Sequence, residues 1–257
     1  MSLLPIARLY LNGFPKAGLH FAEQWVSTVL EPELSHTGNW FGTFNGNGWT
    51  TSQGNLEHVD AMLESIRPGY YVKGHMGWSP SLADKIKTSG VGLVFVYRDL
   101  RDVVVSHAHH VLSNDDEKLK HPGKALYKAL PTFEDVLIAC IDGIGPYPGI
   151  FQRWELYAGW LLEGWVLKLK YEDMINSPRA QADRLARHLY DGRQDNMLID
   201  QIALLMVQRG RETKKSMTFR RGKTGDWRKE FTPRVKAAFK TADPGWLDKL
   251  GYAHGDW

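Results

Sequence analysis

The chain has 257 residues, 43% of them hydrophobic, with ten tryptophans and a formal net charge of +3 at pH 7. That is apolar mass enough for one large domain over 1–257, and the ordinary globular composition excludes a disordered chain. The near balance of charge argues against a nucleic-acid binder, which concentrates basic residues on one face, and leaves room for a local anion pocket.

The opening MSLLPIARLYLNG lacks a basic start and a long apolar run, so it is not read as a signal peptide. No stretch is long enough to span a bilayer, and the expectation is a soluble, cytoplasmic protein without membrane insertion. IARLYLN (6–12) reads as a buried strand, and a helix is predicted over 19–30. Residues 36–55 read as a loop rich in Gly, Asn and Thr, with Trp40, Phe41, Phe44 and Trp49 interleaved. GYYVKG (69–74) is a second strand, and SPSLADKIKT (79–88) a helix with Ser79 as N-cap and Pro80 at its first position. VGLVFVY (91–97) is the clearest strand, followed by a helix over 100–112. The charged stretch 113–131 reads as a mobile loop. Cys140, the sole cysteine, forms no internal disulfide and reads as a small buried side chain, in keeping with a reducing compartment. GWVLKLK (164–170) is a further strand and 177–190 a helix opened by Ser-Pro. This alternation predicts an α/β fold, a central parallel sheet flanked by helices, with ligands bound beyond the C-terminal strand ends. Lys16, His75 and Arg98 each follow a strand.

Four segments carry possible chemistry. In NGFPKAGLHFAEQWV (12–26) a glycine turn leads from a strand into a helix, whose first N–H groups and dipole favour an anion, and Lys16 adds a full charge. The order is wrong for an ATP-binding P-loop, where Gly-Lys-Ser/Thr closes the motif; a strand–helix turn with a solvated lysine also fits. In YRDLRDVVVSHAHH, Arg98 ends a strand and Ser106 lies eight residues on, a guanidinium and a hydroxyl able to hold a phosphate, though Arg98–Asp102 is equally an ordinary ion pair. VKGHMGWSP sets Lys73 and His75 two apart at a strand end, and a histidine there is a natural general base or a structural side chain. FRRGKTGDWRKEFT (219–232) gathers Arg220, Arg221, Lys223, Arg228 and Lys229 around Gly222 and Gly225, a phosphate-wrapping loop or a solvated one. His107 and His110 share a helix face, but no third metal ligand is suggested nearby.

Taken in order, these segments resemble the sulfotransferases that use 3′-phosphoadenosine-5′-phosphosulfate (PAPS). GFPKAGLHF is similar to that family's Tyr-Pro-Lys-Ser-Gly-Thr-Thr-Trp loop, KGH to its Lys-x-His strand end, and Arg98 with Ser106 to its Arg and Ser eight apart. LKLKYEDMINSP is similar to its Tyr-Glu-Asp segment, and RRGKTGDW to its closing Arg-Lys-Gly-x-x-Gly-Asp-Trp. The resemblance covers roughly residues 6–233. It implies a P-loop-like strand–loop–helix in which Pro15, Lys16, Ala17, Gly18, Leu19, His20 and Phe21 hold the 5′-phosphate side of PAPS. Arg98, Ser106, Arg220, Arg221 and Gly222 then hold the 3′-phosphate, and Tyr171 lies near the adenine. It implies sulfuryl transfer by in-line displacement, with Lys16 stabilising the leaving phosphate, His75 taking the acceptor proton and Lys73 reaching the sulfuryl oxygens. The product is 3′-phosphoadenosine 5′-phosphate (PAP), and no metal is required.

The usual Ser-Gly-Thr-Thr-Trp reads Ala17-Gly18-Leu19-His20-Phe21 here, with three hydroxyls absent and Phe21 left to stack on adenine. The family's dimer signature is not matched, since Pro233 stands in FTPRVKAAF, and the oligomeric state stays open. Trp40, Phe44, Trp49 and Trp78 are candidates for contact with the acceptor, a small-molecule or carrier-bound hydroxyl compound. Two other readings stand beside this one: a P-loop kinase or nucleotide hydrolase, and a nucleotide-binding protein without catalysis.

Overall fold

The computed structural model describes residues 8–32, 56–113, 121, 123–190, 196–212 and 223–252. In chain order its elements are β1 (Leu9–Gly13), α1 (Leu19–Val26), β2 (Glu31–Pro32), α2 (Leu56–Ser65), β3 (Tyr70–Gly74), α3 (Pro80–Thr88), β4 (Gly92–Tyr97) and α4 (Leu100–Ser113). There follow α5 (Lys124–Lys128), α6 (Phe133–Asp142), a short hairpin of β5 (Gly143–Ile144) and β6 (Tyr147–Pro148), α7 (Ile150–Ala158) and β7 (Leu167–Lys170). The chain ends through α8 (Tyr171–Asn176), α9 (Pro178–Leu189), α10 (Asn196–Glu212), α11 (Trp227–Glu230), α12 (Pro233–Ala242) and α13 (Trp246–Lys249).

The chain packs as two compact units, one holding the described residues up to Tyr97 and from Leu156 to 212, the other Arg98–Glu155 and 223–252. In the first unit, five strands of the described residues form one wholly parallel sheet in the order β2-β3-β1-β4-β7. Parallel strands covered on both faces need apolar side chains on both, and β1 and the centre of β4 are buried throughout. The register sets Asn12 opposite Gly74 and Gly13 opposite Val96, so these strands end level at one edge. The connection out of β1 runs toward β2, that out of β4 toward β7, and between strands whose connections part in this way lies the usual ligand crevice of an open sheet. Helix α3 starts as its sequence requires: the Ser79 hydroxyl accepts from Leu82 N at 3.3 Å, and Pro80 takes the first position.

The second unit is helical. Helices α4, α6 and α12 pack together over Phe151, Phe231 and Phe239, and Trp154 meets Trp246 edge-on. Part of the stretch expected as a mobile loop is the helix α5. Tyr127 is buried at 1% exposure, so the short helix docks by an aromatic anchor that the surrounding charges conceal in the sequence. Among the described residues no helix is long and apolar enough to cross a membrane.

Candidate functional site

The turn after β1 is held by its backbone. Phe14 N–H donates to Val96 O at 3.0 Å and Ala17 N–H to Phe14 O at 3.0 Å. Lys16 has φ +70°, the left-handed region that non-glycine residues rarely enter, and Gly18 has φ +98°. A Cβ on Gly18 would lie 2.3 Å from the Tyr171 ring, so only glycine permits this close packing. No side chain caps α1, and helix geometry leaves the first-turn N–H groups of Leu19 and His20 without intrahelical acceptors. The result is a turn that leads into a helix end with backbone donors to spare, an arrangement that suits an anion such as phosphate. The side chains that replace hydroxyls have gone elsewhere: Ala17 and Leu19 are buried, Leu19 against Gly13, and His20 Nδ1 meets Glu23 Oε2 at 3.2 Å along the helix. Pro15 is half-buried in the turn.

Asn12, which sequence reasoning passed over, ties this loop to the end of β3. Its side chain is fully buried, donates to Met76 O at 2.9 Å, and accepts from Met76 N at 2.8 Å and Gly13 N at 3.0 Å. That clip sets the position of His75, whose Nδ1 lies 2.6 Å from Gly13 O. A carbonyl only accepts, so Nδ1 carries the proton, and in the neutral ring Nε2 bears the lone pair. The backbone of the β1–α1 loop thus fixes the orientation of the His75 ring. Tyr157 donates to the His75 carbonyl at 3.1 Å and packs edge-on against Phe14, bracing the same junction.

Lys73 is engaged. Its Nζ lies 2.6 Å from both carboxylate oxygens of Glu23 on α1, and Tyr71 OH donates to the same carboxylate at 3.3 Å. Burial pushes the Glu23 carboxyl up, but the hydrogen bonds and charge from His20 and Lys73 outweigh it and hold Glu23 at about 2. Phe21 is half-buried, 5.3 Å from Trp25 and 6.1 Å from Tyr171 between ring centroids, so the two aromatic residues proposed for adenine adjoin. Trp78 donates its indole N–H to Glu163 at 3.0 Å and lies against Gly159, whose Cβ would meet the ring at 2.1 Å. Glu163 also takes the indole N–H of Trp165, so Trp78 belongs to an anchored tryptophan pair.

In the second unit Arg98 forms the ion pair its spacing allowed, with Nη2 3.1 Å from Asp102 Oδ2, and donates to Lys223 O at 2.9 Å. Asp102 is buried and accepts in addition from Gly225 N at 2.7 Å and Trp227 N at 3.1 Å. One carboxylate thus joins Arg98 to the described end of the closing GKTGDW segment. Next to it Asp99 and Arg101 form a second buried pair at 2.7 Å, with the Arg101 guanidinium 4.0 Å from the Trp227 ring. Ser106 is half-buried on α4. His107 packs edge-on against His121 and Tyr127, and among the described residues no cluster of three metal-type ligands occurs. Arg220, Arg221 and Gly222, and the acceptor candidates Trp40, Phe44 and Trp49, lie outside the described residues. Asn12 and Glu23 were missed, and Asp102 was read only as a partner of Arg98, because the links to Met76, Lys73 and Gly225 span at least 50 residues of sequence, which no local spacing displays.

A family model, the sulfotransferase domain, matches residues 11–249. A flavonol sulfotransferase-like protein of Flaveria bidentis is 27% identical over 184 residues, covering 61% of this chain and 54% of that protein. Cytosolic sulfotransferase 5 of Arabidopsis thaliana is 25% identical over 179 residues, 62% of this chain and 52% of the relative. The matched region spans about half the length of these curated relatives. Among solved structures, a mouse sulfotransferase complexed with PAP is similar with a TM-score of 0.62 at 16% identity, covering 96% of this chain and 86% of the other. A retinol dehydratase in complex with androsterone and inactive cofactor PAP is similar with a TM-score of 0.54 at 16% identity, covering 100% and 85%. Both show the fold of this chain.

Proposed function

Because the chain belongs to the sulfotransferase family, we propose that it transfers a sulfuryl group from PAPS to a hydroxyl or amine of a small-molecule acceptor. The observation that carries this reading is the bond from His75 Nδ1 to Gly13 O at 2.6 Å, which joins a base to the phosphate-type loop. The donor supplies a sulfuryl group on a phosphate leaving group. His75 Nε2 takes the acceptor proton as the acceptor oxygen forms its bond to sulfur. The bond from sulfur to the bridging oxygen breaks, and charge gathers on the departing 5′-phosphate. Lys16 and the N–H groups of Leu19 and His20 meet that charge with donors already in place.

By the family resemblance Arg98, Ser106, Arg220, Arg221 and Gly222 are assigned to the 3′-phosphate, and Phe21 and Tyr171 to the adenine. No step of this scheme calls for a metal. The likeness to a flavonol sulfotransferase-like protein makes a flavonol, a flat phenol, the first acceptor to try. A carrier-bound hydroxyl is the second, and the cytoplasm is the compartment the reading implies.

Calorimetry without metal tests the proposal, with PAP, ATP and 5′-AMP as ligands. Binding that requires the 3′-phosphate and weakens in Arg98→Ala is the expected result. Equal affinity for PAP and 5′-AMP would overturn the donor assignment, and magnesium-dependent ATP turnover would favour a kinase.

A further inference from the structure

The Glu23–Lys73 pair bears on what the lysine does in that reaction, and the inference rests on the reading just given. Glu23 stands on α1 five residues beyond Gly18, which puts its carboxylate about one turn from the helix end proposed to hold phosphate. Its side chain is 17% exposed and accepts from Lys73, His20 and Tyr71. An ionised carboxylate there opposes an incoming phosphate unless a cation cancels it. Lys73 is that cation, with its ammonium on both oxygens at 2.6 Å. Withdrawing it toward a transferring group would leave the shielded carboxylate with only its His20 and Tyr71 contacts and without its ammonium partner, which is costly.

We propose that Glu23 fixes Lys73 as its counter-ion, so that Lys73 serves donor binding by neutralising the phosphate-binding helix and does not touch the sulfuryl group. Lys73 is then a positioning residue, and Glu23 is the reason it is needed. Removing the charge at 73 exposes the carboxylate, and removing both charges restores the balance.

The test measures PAP affinity and turnover in wild type, Lys73→Met, Lys73→Gln, Glu23→Gln and Lys73→Met/Glu23→Gln, with thermal unfolding as the check on folding. PAP carries no sulfuryl group, so its affinity is insensitive to any sulfuryl contact. Lys73→Met and Lys73→Gln are expected to weaken PAP binding by about tenfold or more, and the double variant to return within about threefold of wild type in both affinity and turnover. Lys73→Gln, which keeps a hydrogen-bond donor, serves if the methionine variant does not fold. Unchanged PAP affinity in both single variants at Lys73 would overturn the proposal. So would a double variant that binds PAP normally yet turns over as slowly as Lys73→Met. Failure of the donor assignment shows in a different arm, as a wild-type protein that does not prefer PAP to 5′-AMP.

Discussion

The β1–α1 loop and the Arg98 segment are both assigned to phosphates, and they are built by opposite means. In the loop the donors are backbone N–H groups, held by the turn at Lys16 and Gly18, while the side chains of Ala17 and Leu19 are buried in the core. At Arg98 the arrangement is made of side-chain charge: one buried aspartate, Asp102, accepts from the arginine and from two N–H groups of the closing segment. A backbone site survives the loss of its hydroxyls because every residue other than proline brings an N–H. A site made of one carboxylate and its donors has no such reserve. On the proposed reading, this is how a loop with Ala17, Leu19 and His20 in place of the family's three hydroxyl residues, and Gly18 kept, would still hold an anion.

The largest effect should come from breaking the second region. Asp102→Ala removes a buried carboxylate with three described donors and leaves a largely buried arginine behind, which typically costs about 3–5 kcal/mol of stability. A fall of that order in the unfolding free energy from urea titration, with weakened PAP binding, is expected; an effect under about 1 kcal/mol would show the closing segment is held by other contacts. Lys16→Met should lower kcat by a factor corresponding to about 3–4 kcal/mol while leaving thermal unfolding nearly unchanged. A loss confined to KM would mean that Lys16 binds the donor without acting on the leaving phosphate. Gly18→Ala meets both a positive φ and the Tyr171 ring, so it should cost about 1–3 kcal/mol and weaken PAP binding as well.

Acid separates the two regions further. Glu23, held at about 2 in the folded chain against an ordinary 4.5, contributes stability that is complete above the ordinary value and lost as pH falls toward 2. Unfolding at pH 3 should therefore show wild type losing roughly 1–2 kcal/mol more, relative to pH 7, than Glu23→Gln does. Equal losses would mean that the carboxyl has no depressed value in the folded state.

Much of this could be read along the chain. The runs of β1, β3 and β4 showed themselves by apolar density, α3 by its Ser-Pro start, and the Arg98–Asp102 pair by its four-residue spacing. The two-residue β2 is too short to leave a pattern, and α5 was hidden because one buried tyrosine outweighs the charges around it. The supports of the site were illegible for a physical reason. Asn12 with Met76, Glu23 with Lys73 and Asp102 with Gly225 are pairings that sheet register and loop return create, and a single sequence encodes them only through the fold.

The smallest expected effect sharpens the opening contrast most. Ala17→Ser puts back a hydroxyl that the resemblance leads one to expect beside the phosphate. Ala17 is fully buried, however, and its N–H is already given to Phe14 O. A hydroxyl there must find a partner inside the turn, and a hydrogen bond of that kind is worth about 0.5–1.5 kcal/mol at best, against the cost of burying it. PAP affinity should change by less than about threefold, whereas Arg98→Lys, which keeps the charge and loses the planar fork, should weaken it more. A tenfold gain from Ala17→Ser would mean that side chains, not backbone, set donor affinity in the loop, and the two regions would then differ only in how much of their side-chain apparatus this chain has kept.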